Sequence, residues 1–176
     1  MEFNRVWAMP NSNTFQIKPI NALIRKYITV GGDWVDPYAN NNVFKNSLDG
    51  NVNLITNDLN PDCDTMYHIK ALDFLKQFNT GGIDGVLYDP PYSVRQVSEC
   101  YKKYGYEVTQ FDTRSNYYTN DKDQITRIVK SGGLVLSFGW NSGGIGKNNG
   151  FDILEILLVP HGGPHNDTIC VVERKR

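Results

Sequence analysis

Hydrophobic residues recur along this chain at two different spacings, which alternate from one end to the other. Spacings of three and four residues, typical of one face of a helix, run from Ile17 to Ile28, with Pro19 in the first turn. The same spacing predicts helices over residues 71–78 and from Ser93 to Gly105. It also predicts a helix with Ile125, Ile128 and Val129, which follows a polar loop over residues 113–120 and ends at Gly132-Gly133.

Short, continuous apolar runs bounded by turn residues alternate with these helices and predict buried strands. They cover residues 34–35, 52–56, 86–88, 134–138, 153–159 and 168–172. The last two runs follow each other directly and predict a β-hairpin. Strands that alternate with helices and end in a hairpin indicate an α/β sheet, mostly parallel, with one antiparallel strand near its edge.

Acidic residues stand at the ends of three of these strands. Asp36, Asp58 and Asp89 each follow an apolar run. Because ligands of such sheets bind outside the carboxyl ends of the strands, these acids predict one shared site. Asp89 also begins the sequence Asp89-Pro90-Pro91-Tyr92, which combines a carboxylate, a rigid turn and an aromatic face. Those groups can hold a planar amine against a methyl donor.

Composition limits the class of protein. A chain of 176 residues with 40% hydrophobic content is expected to form one domain, residues 1–176, with a substantial core. Neither an apolar run near the roughly 18 residues of a membrane span nor a signal-peptide pattern is present, so we expect a cytoplasmic protein without membrane contact. The formal net charge of −1 still allows a local basic face.

Cysteine and histidine spacing does not indicate a metal site. Cys63, Cys100 and Cys170 are scattered and are expected to be reduced thiols. His161 and His165 flank a Gly-Gly-Pro turn, and Asp167 is the one potential ligand at metal-type spacing beside them. We therefore expect both histidines at the surface of the hairpin tip rather than at a metal.

Together these motifs resemble those of the small adenine-specific DNA methyltransferases, and more narrowly the compact enzymes of phages and prophages. The similarity extends from about Thr14 to Glu173. It is carried by Lys18-Pro19, Asp36-Pro37-Tyr38-Ala39-Asn40, Asn57-Asp58, Asp89-Pro90-Pro91-Tyr92 and Gly132-Gly133 before a strand. The resemblance implies a Rossmann-like class I methyltransferase fold: a mostly parallel seven-stranded sheet, a C-terminal antiparallel hairpin and helices on both faces. With 176 residues, we expect no separate target-recognition domain.

The resemblance also implies a cofactor, S-adenosylmethionine, and residues that hold it. Lys18 and Pro19 would lie near its methionine end, Asp36 to Asn40 would surround the methionine part, and Asp58 would accept its ribose hydroxyls. The family's acid for the cofactor adenine is Lys70 here, which leaves Asp73 as the substitute. The family usually has glycines where this chain has Asn40-Asn41-Asn42, although asparagine tolerates the left-handed backbone such a turn needs.

On the acceptor side, Asp89 and the Pro90 carbonyl would receive the two hydrogens of the target amine, Pro91 would complete the turn, and Tyr92 would stack on the base. An exocyclic adenine amine is a weak nucleophile because its lone pair is delocalised. Fixed acceptors orient it for in-line transfer, and Asp89 can take the proton. The DNA adenine must be flipped out or single-stranded to reach them.

Two loops are candidates for DNA contacts. The first loop covers residues 141–150. Trp140, directly before this loop, either stacks on a base or packs in the core, and Lys147, within the loop, is a candidate for contact with a phosphate. In the segment 114–122, Arg114 and the following Tyr117-Tyr118 either line a DNA channel or form a packed aromatic pair.

Other acceptors are compatible with the same fold, namely cytosine N4, an RNA base or a protein amide. Asp rather than Ser at the first position of Asp-Pro-Pro-Tyr favours adenine. The altered cofactor motifs leave a second class open, a catalytically weak module that binds cofactor or nucleic acid.

Overall fold

The computed structural model describes residues 1–29, 31–44, 46–110, 112 and 117–176. Its strands are β1 (Glu2–Arg5), β2 (Gly32–Asp36), β3 (Val52–Thr56), β4 (Ile83–Tyr88), β5 (Val129–Gly139), β6 (Phe151–Val159) and β7 (Thr168–Lys175). Its helices are α1 (Lys18–Ile28), α2 (Ala71–Leu75), α3 (Val94–Lys103) and α4 (Tyr117–Ile128).

The strands form one seven-stranded sheet in the order β1-β6-β7-β5-β4-β2-β3. β7 runs antiparallel to its neighbours β5 and β6, and the other neighbouring pairs are parallel. This topology confirms the mostly parallel sheet and the C-terminal hairpin that the sequence predicts. It also aligns the carboxyl ends of β2, β3 and β4 at one edge.

One strand, β1, is not indicated by the hydrophobic pattern. It pairs in parallel with β6 at the edge of the sheet, with Glu2 opposite Glu155. Its four residues are exposed or half-buried, so they lack the apolar run that marks the buried strands. An edge strand held by backbone pairing needs no such run.

Helices cover both faces of the sheet, as predicted. α1 packs Ile20, Leu23 and Ile24 against one face, while α2 and α4 cover the other with side chains such as Phe74 and Ile125. The central strands contribute side chains to the hydrophobic core on each face of the sheet, because successive side chains point to opposite faces. None of the described helices is long and apolar enough to cross a membrane.

The predicted bounds of α4 are wrong at both ends. The helix begins at Tyr117, so residues 117–120 of the expected polar loop are helical, and it gives way directly to β5 at Val129. Gly132 and Gly133 therefore lie inside β5 rather than ending the helix. Pairing of Val129 with Ile83 of β4 explains the early change to strand.

Trp34 of β2 sits opposite Gly85 of β4 and is fully buried. A Cβ atom at Gly85 would overlap the Trp34 ring. The glycine therefore allows the large ring to pack where β2 and β4 approach their carboxyl ends.

We expect Gly85→Ala to destabilise the fold by about 1–3 kcal/mol, because the added methyl overfills a packed site. Urea denaturation would measure the change. Gly50→Ala is the control, since no atom lies within 4 Å of its added Cβ. Equal stability of the two variants would contradict the packing argument.

Candidate functional site

A cavity of about 490 Å³, here called the main cavity, opens at the carboxyl ends of β2, β3 and β4. Its walls come from segments that follow these strands, from the chain before α1 and from one side of α3. The lining includes residues 11–15, 37–40, 57–60, 69–71 and 89–92, with Cys63, Gln96, Val97, Cys100, Tyr101, Tyr104 and Tyr117.

Asp58 lies in the wall of the main cavity, and the backbone fixes its carboxylate. Asn40 N–H donates to Oδ2 at 2.8 Å, and Asn60 N–H donates to Oδ1 at 2.8 Å. Each carboxylate oxygen can accept a second hydrogen bond. The side chain therefore presents oriented acceptors to a ligand with hydroxyl groups.

The turn after β2 adopts the conformation that the asparagines were expected to allow. Asn40 has φ 49°, in the left-handed region that asparagine tolerates. Asn57, which the sequence analysis missed as a site residue, supports this turn: its amide donates to the Pro37 carbonyl at 3.0 Å and to the Ile69 carbonyl at 3.0 Å. Its position directly after β3 is the only sequence signal for this role.

Asp36 lies behind the turn rather than in the cavity wall, with 2% of its surface exposed. Burial raises the pKa of its carboxyl well above the usual value, and the nearby Asp89 and Asp58 carboxylates raise this pKa further. Tyr38 N–H, which donates to Asp36 at 3.1 Å, partly opposes the shift. The structure thus brings the three predicted acids into electrostatic contact.

Asp89 follows β4 and lines the main cavity beside Thr14. Burial raises the pKa of Asp89 to about 7, although the Thr14 side chain lowers it in part. Within the described part of the chain, no group donates a hydrogen bond to the Pro90 carbonyl. The carboxylate and this carbonyl are adjacent acceptors that remain available to a ligand.

The rest of the Asp89-Pro90-Pro91-Tyr92 loop is fixed by hydrogen bonds. Tyr118 of α4 donates its hydroxyl to the Pro91 carbonyl. Tyr92 N–H donates to Gln96 Oε1 at 2.7 Å, while Gln96 N–H donates to the Ser93 hydroxyl at 3.3 Å. The Ser93 side chain thus caps the start of α3, and the Gln96 side chain fixes the backbone of Tyr92.

A buried carboxylate on α4 joins the turn after β2 to the end of β4. Asp121 accepts the hydroxyl of Tyr38 at 2.7 Å and that of Tyr88 at 3.3 Å. Burial raises the pKa of Asp121 to about 6, and the two tyrosine hydroxyls lower it in part. The sequence analysis missed Asp121 because an acid in a polar helix usually faces water.

A smaller cavity of about 110 Å³, here called the second cavity, lies on the other side of the same loop. It shares Pro90, Pro91 and Tyr92 with the main cavity. Its remaining lining residues are Tyr88, Tyr118, Lys122, Ser137, Phe138, Gly139, Trp140, Asn141 and Gly144. The Asp-Pro-Pro-Tyr loop therefore forms a wall common to two cavities.

Trp140 is 64% exposed at the rim of the second cavity, which excludes the alternative that it packs in the core. Tyr117 and Tyr118, in the second candidate loop, do form a packed aromatic pair: their rings meet edge to face with centroids 5.2 Å apart. Tyr117 lines the main cavity and Tyr118 the second, so the pair also belongs to the site.

Besides the buried Asp36, four predicted site residues lie outside the described lining of both cavities. Lys18 and Pro19 begin α1, and residues 11–15 form the wall in their place. Asp73 is exposed on α2 and pairs with Lys76 at 3.4 Å, whereas Lys70 lines the cavity. Lys147 is exposed outside the described lining of both cavities. Arg114 lies outside the described residues.

His161 is buried, so its expected position at the surface of the hairpin tip is wrong. Its Nδ1–H donates to the Ala8 carbonyl at 2.9 Å, and its Nε2 forms a hydrogen bond with the Thr168 hydroxyl at 2.9 Å. The sequence gives no sign of this contact with the N-terminal segment. No cluster of three or more potential metal ligands occurs among the described residues.

Neither a protein-family model nor a curated protein matches this sequence. Solved methyltransferase structures nevertheless share its fold. TrmN from Thermus thermophilus is 16% identical, with a TM-score of 0.61 over 91% of this chain and 49% of its own. The chain thus spans about half the length of TrmN.

Other similar structures match this chain over most of their length. The 1,6-didemethyltoxoflavin-N1-methyltransferase of Burkholderia thailandensis, solved with S-adenosylhomocysteine, is 10% identical, with a TM-score of 0.63 over 93% of this chain and 79% of its own. N-methyltransferase NodS of Bradyrhizobium japonicum is 11% identical, with a TM-score of 0.62 over 94% and 99%. These likenesses confirm the Rossmann-like class I methyltransferase fold.

We expect Asp121→Ala to lower the free energy of unfolding by about 1–3 kcal/mol, because the variant leaves buried tyrosine hydroxyls without an acceptor. Asp121→Asn keeps one carbonyl acceptor and should cost less. Chemical denaturation would measure both. Asp123→Ala, an exposed acid on the same helix, is the control; a similar loss in the control would refute the hydroxyl argument.

Asp89 should make stability depend on pH. With a pKa of about 7 when folded and about 3.9 when unfolded, it binds a proton more tightly in the folded state. Its contribution to stability is therefore present below about pH 4 and is lost as the pH rises toward 7.

The Asp89→Asn variant has no such titration. Its free energy of unfolding relative to wild type should therefore rise between about pH 4 and pH 7, by at most about 1.4 kcal/mol per pH unit, and then level off. Denaturation curves between about pH 4 and pH 8 would test this. Exposed Asp62, changed to Asn, is the control. A difference that does not vary with pH would contradict the shifted pKa.

Proposed function

We propose that this chain transfers a methyl group from S-adenosylmethionine to the exocyclic N6 amine of adenine in DNA. The observation that carries the proposal is the pair of available acceptors, the Asp89 carboxylate and the Pro90 carbonyl, on a loop shared by two cavities. One cavity then serves the methyl donor and the other the base, and the acceptors lie where the two meet.

The residues of the main cavity fit the methyl donor. Asp58 offers fixed acceptors for ribose hydroxyls, and Phe15, Ala39 and Ala71 give apolar surface. A volume of about 490 Å³ is in the usual range for small-molecule sites. When bound, S-adenosylmethionine supplies an electrophilic methyl group on a positively charged sulfur.

The acids in and directly behind the wall of the main cavity also favour that donor. Asp36, Asp58 and Asp89 are close enough to shift a pKa among themselves, and no ion pair of theirs is found among the described residues. A cationic ligand relieves this repulsion and lowers the pKa of Asp89 below its value of about 7 in the free protein. Ligand binding thereby favours the ionised Asp89 that an amine needs as an acceptor.

The acceptors then orient and deprotonate the amine. Hydrogen bonds to Asp89 and to the Pro90 carbonyl draw the nitrogen lone pair out of conjugation and align it for displacement. Asp89 accepts the excess proton when the new N–C bond forms, a role suited to a group whose pKa is near neutral. Pro90 and Pro91 keep backbone N–H donors out of the acceptor patch.

The choice of adenine in DNA rests on the resemblance of the Asp-Pro-Pro-Tyr motif and on Asp, rather than Ser, at its first position. Tyr92 and exposed Trp140 provide aromatic surface for a base outside the duplex. We also propose that the reaction takes place in the cytoplasm, where free cysteines such as those of this chain stay reduced.

The test is transfer of a radiolabelled methyl group to unmethylated DNA, RNA and protein, followed by single-molecule sequencing of DNA from cells that express the chain. We expect label in DNA and N6-methyladenine in a defined sequence context. Label in RNA or protein, or on cytosine, would overturn the choice of acceptor. Label in none of them would overturn the enzymatic proposal.

Two variants separate the roles of the acids. Asp89→Ala should reduce methyl transfer at least about 100-fold, since it removes an acceptor and base, while calorimetry with the methyl donor should detect binding close to that of wild type. Asp58→Ala should weaken donor binding about 10-fold or more, because a charge-assisted hydrogen bond is lost. Asp62→Ala, an exposed acid outside the described lining, is the control. Full transfer by Asp89→Ala would rule out the proposed chemistry.

A further inference from the structure

The second cavity contains a buried hydroxyl group without a hydrogen-bond partner. Ser137 lines this cavity and is 9% exposed. Its Oγ is the buried side-chain atom that finds no partner among the described residues. A buried hydroxyl without a partner is destabilising and calls for an explanation, such as a bound ligand.

The sheet places Ser137 close to Asp89. Ser137 of β5 lies opposite Tyr88 of β4, and Asp89 follows Tyr88 directly. Ser137 is two residues from Val135, whose side chain packs with Tyr88 and Ile125 on the face that α4 covers. Because alternate strand residues share a face, the Ser137 side chain points toward α4, where the second cavity lies.

Four other polar groups of the second cavity already have hydrogen-bond partners. Lys122 Nζ donates to the Gly144 carbonyl at 2.5 Å, Tyr88 donates to Asp121 at 3.3 Å, and Tyr118 donates to the Pro91 carbonyl. Asn141 Oδ1 accepts from Gly143 N–H at 2.9 Å. Ser137 thus stands out, among the described polar side chains of the lining, as the one whose buried polar atom has no hydrogen-bond partner.

The rest of the cavity suits a flat, apolar-faced ring. Tyr92, Phe138 and Trp140 contribute aromatic side chains, and Pro90 and Pro91 form the wall toward the main cavity. A planar heteroaromatic ring presents apolar faces to such walls and nitrogen acceptors at its edge. A buried hydroxyl donor among these walls favours a ring that carries an acceptor nitrogen at the matching position of its edge.

We propose that Ser137 is a specificity-determining residue that donates a hydrogen bond to a ring nitrogen of the target base in the second cavity. This inference rests on the proposed function, which puts the exocyclic amine at Asp89 and the Pro90 carbonyl. The ring nitrogens of adenine, N1, N3 and N7, are acceptors, and the Ser137 hydroxyl bonds one of them.

The test pairs Ser137→Ala with oligonucleotides that carry adenine, 1-deazaadenine, 3-deazaadenine or 7-deazaadenine at the methylated position. We expect Ser137→Ala to lower kcat/KM for adenine about 3- to 10-fold, the usual effect of one neutral hydrogen bond. For one of the deaza substrates, the ratio of the wild-type kcat/KM to the variant kcat/KM should fall to about one, because that substrate lacks the nitrogen that Ser137 would bond. Calorimetry should find donor binding unchanged.

Ser131→Ala, an exposed serine near the other end of β5, is the control and should match wild type on all four substrates. If Ser137→Ala does not fold, Ser137→Cys keeps nearly the same volume with a weaker donor and replaces it. The assignment of Ser137 would be overturned if the ratio of the wild-type kcat/KM to the variant kcat/KM were the same for all four oligonucleotides. That result would leave the proposed function intact. Absence of methyl transfer by wild type to any of them would instead overturn the proposed function, and this inference with it.

Discussion

The arrangement of this site depends on the convergence of three carboxylates at one edge of a parallel sheet. Pairing of β2 with β3 and with β4 brings Asp36, Asp58 and Asp89 together, and their mutual repulsion adds to the cost of burial. Asp36 and Asp58 are supported by backbone N–H groups rather than by cationic side chains. Because burial raises the pKa of Asp36 and of Asp89, a cationic ligand would favour their ionised forms, and the proposed methyl donor carries such a charge.

Helix α4 connects the parts that must act together in this proposal. Tyr118, Asp121 and Lys122 are three and four residues apart, so they share one face of the helix. They contact the Asp-Pro-Pro-Tyr loop, the turn after β2 through Tyr38, and the segment 141–150 through Gly144, respectively. A shift of this helix would move the walls of both cavities at once. In the proposed function, the distance between methyl donor and acceptor thus depends on the position of this helix.

The acidic strand ends, the Asn40 turn and the start of α3 could be predicted because each depends on local sequence and on the direction of parallel strands. Asp121 and His161 could not, since their burial depends on partners 33 or more and 153 residues away in the chain. Strand β1 and the start of α4 lack apolar periodicity. Lys18 and Asp73 follow from a family pattern, and the wall they were expected to form is made by other residues, 11–15 and Lys70.

Anchoring of the segment 141–150 bears on how a base is selected. Its glycines suggest mobility, yet the buried Glu173 carboxylate accepts Ile145 N–H at 2.6 Å and Gly146 N–H at 2.9 Å. Gly144 has φ 52°, and a Cβ atom there would overlap Glu173, so this glycine permits a close approach. A rim anchored in this way costs little ordering entropy when a ligand binds. In the proposed function, base selection by the second cavity would then rest on the shape of the cavity and on the buried Ser137 hydroxyl, rather than on closure of a flexible loop.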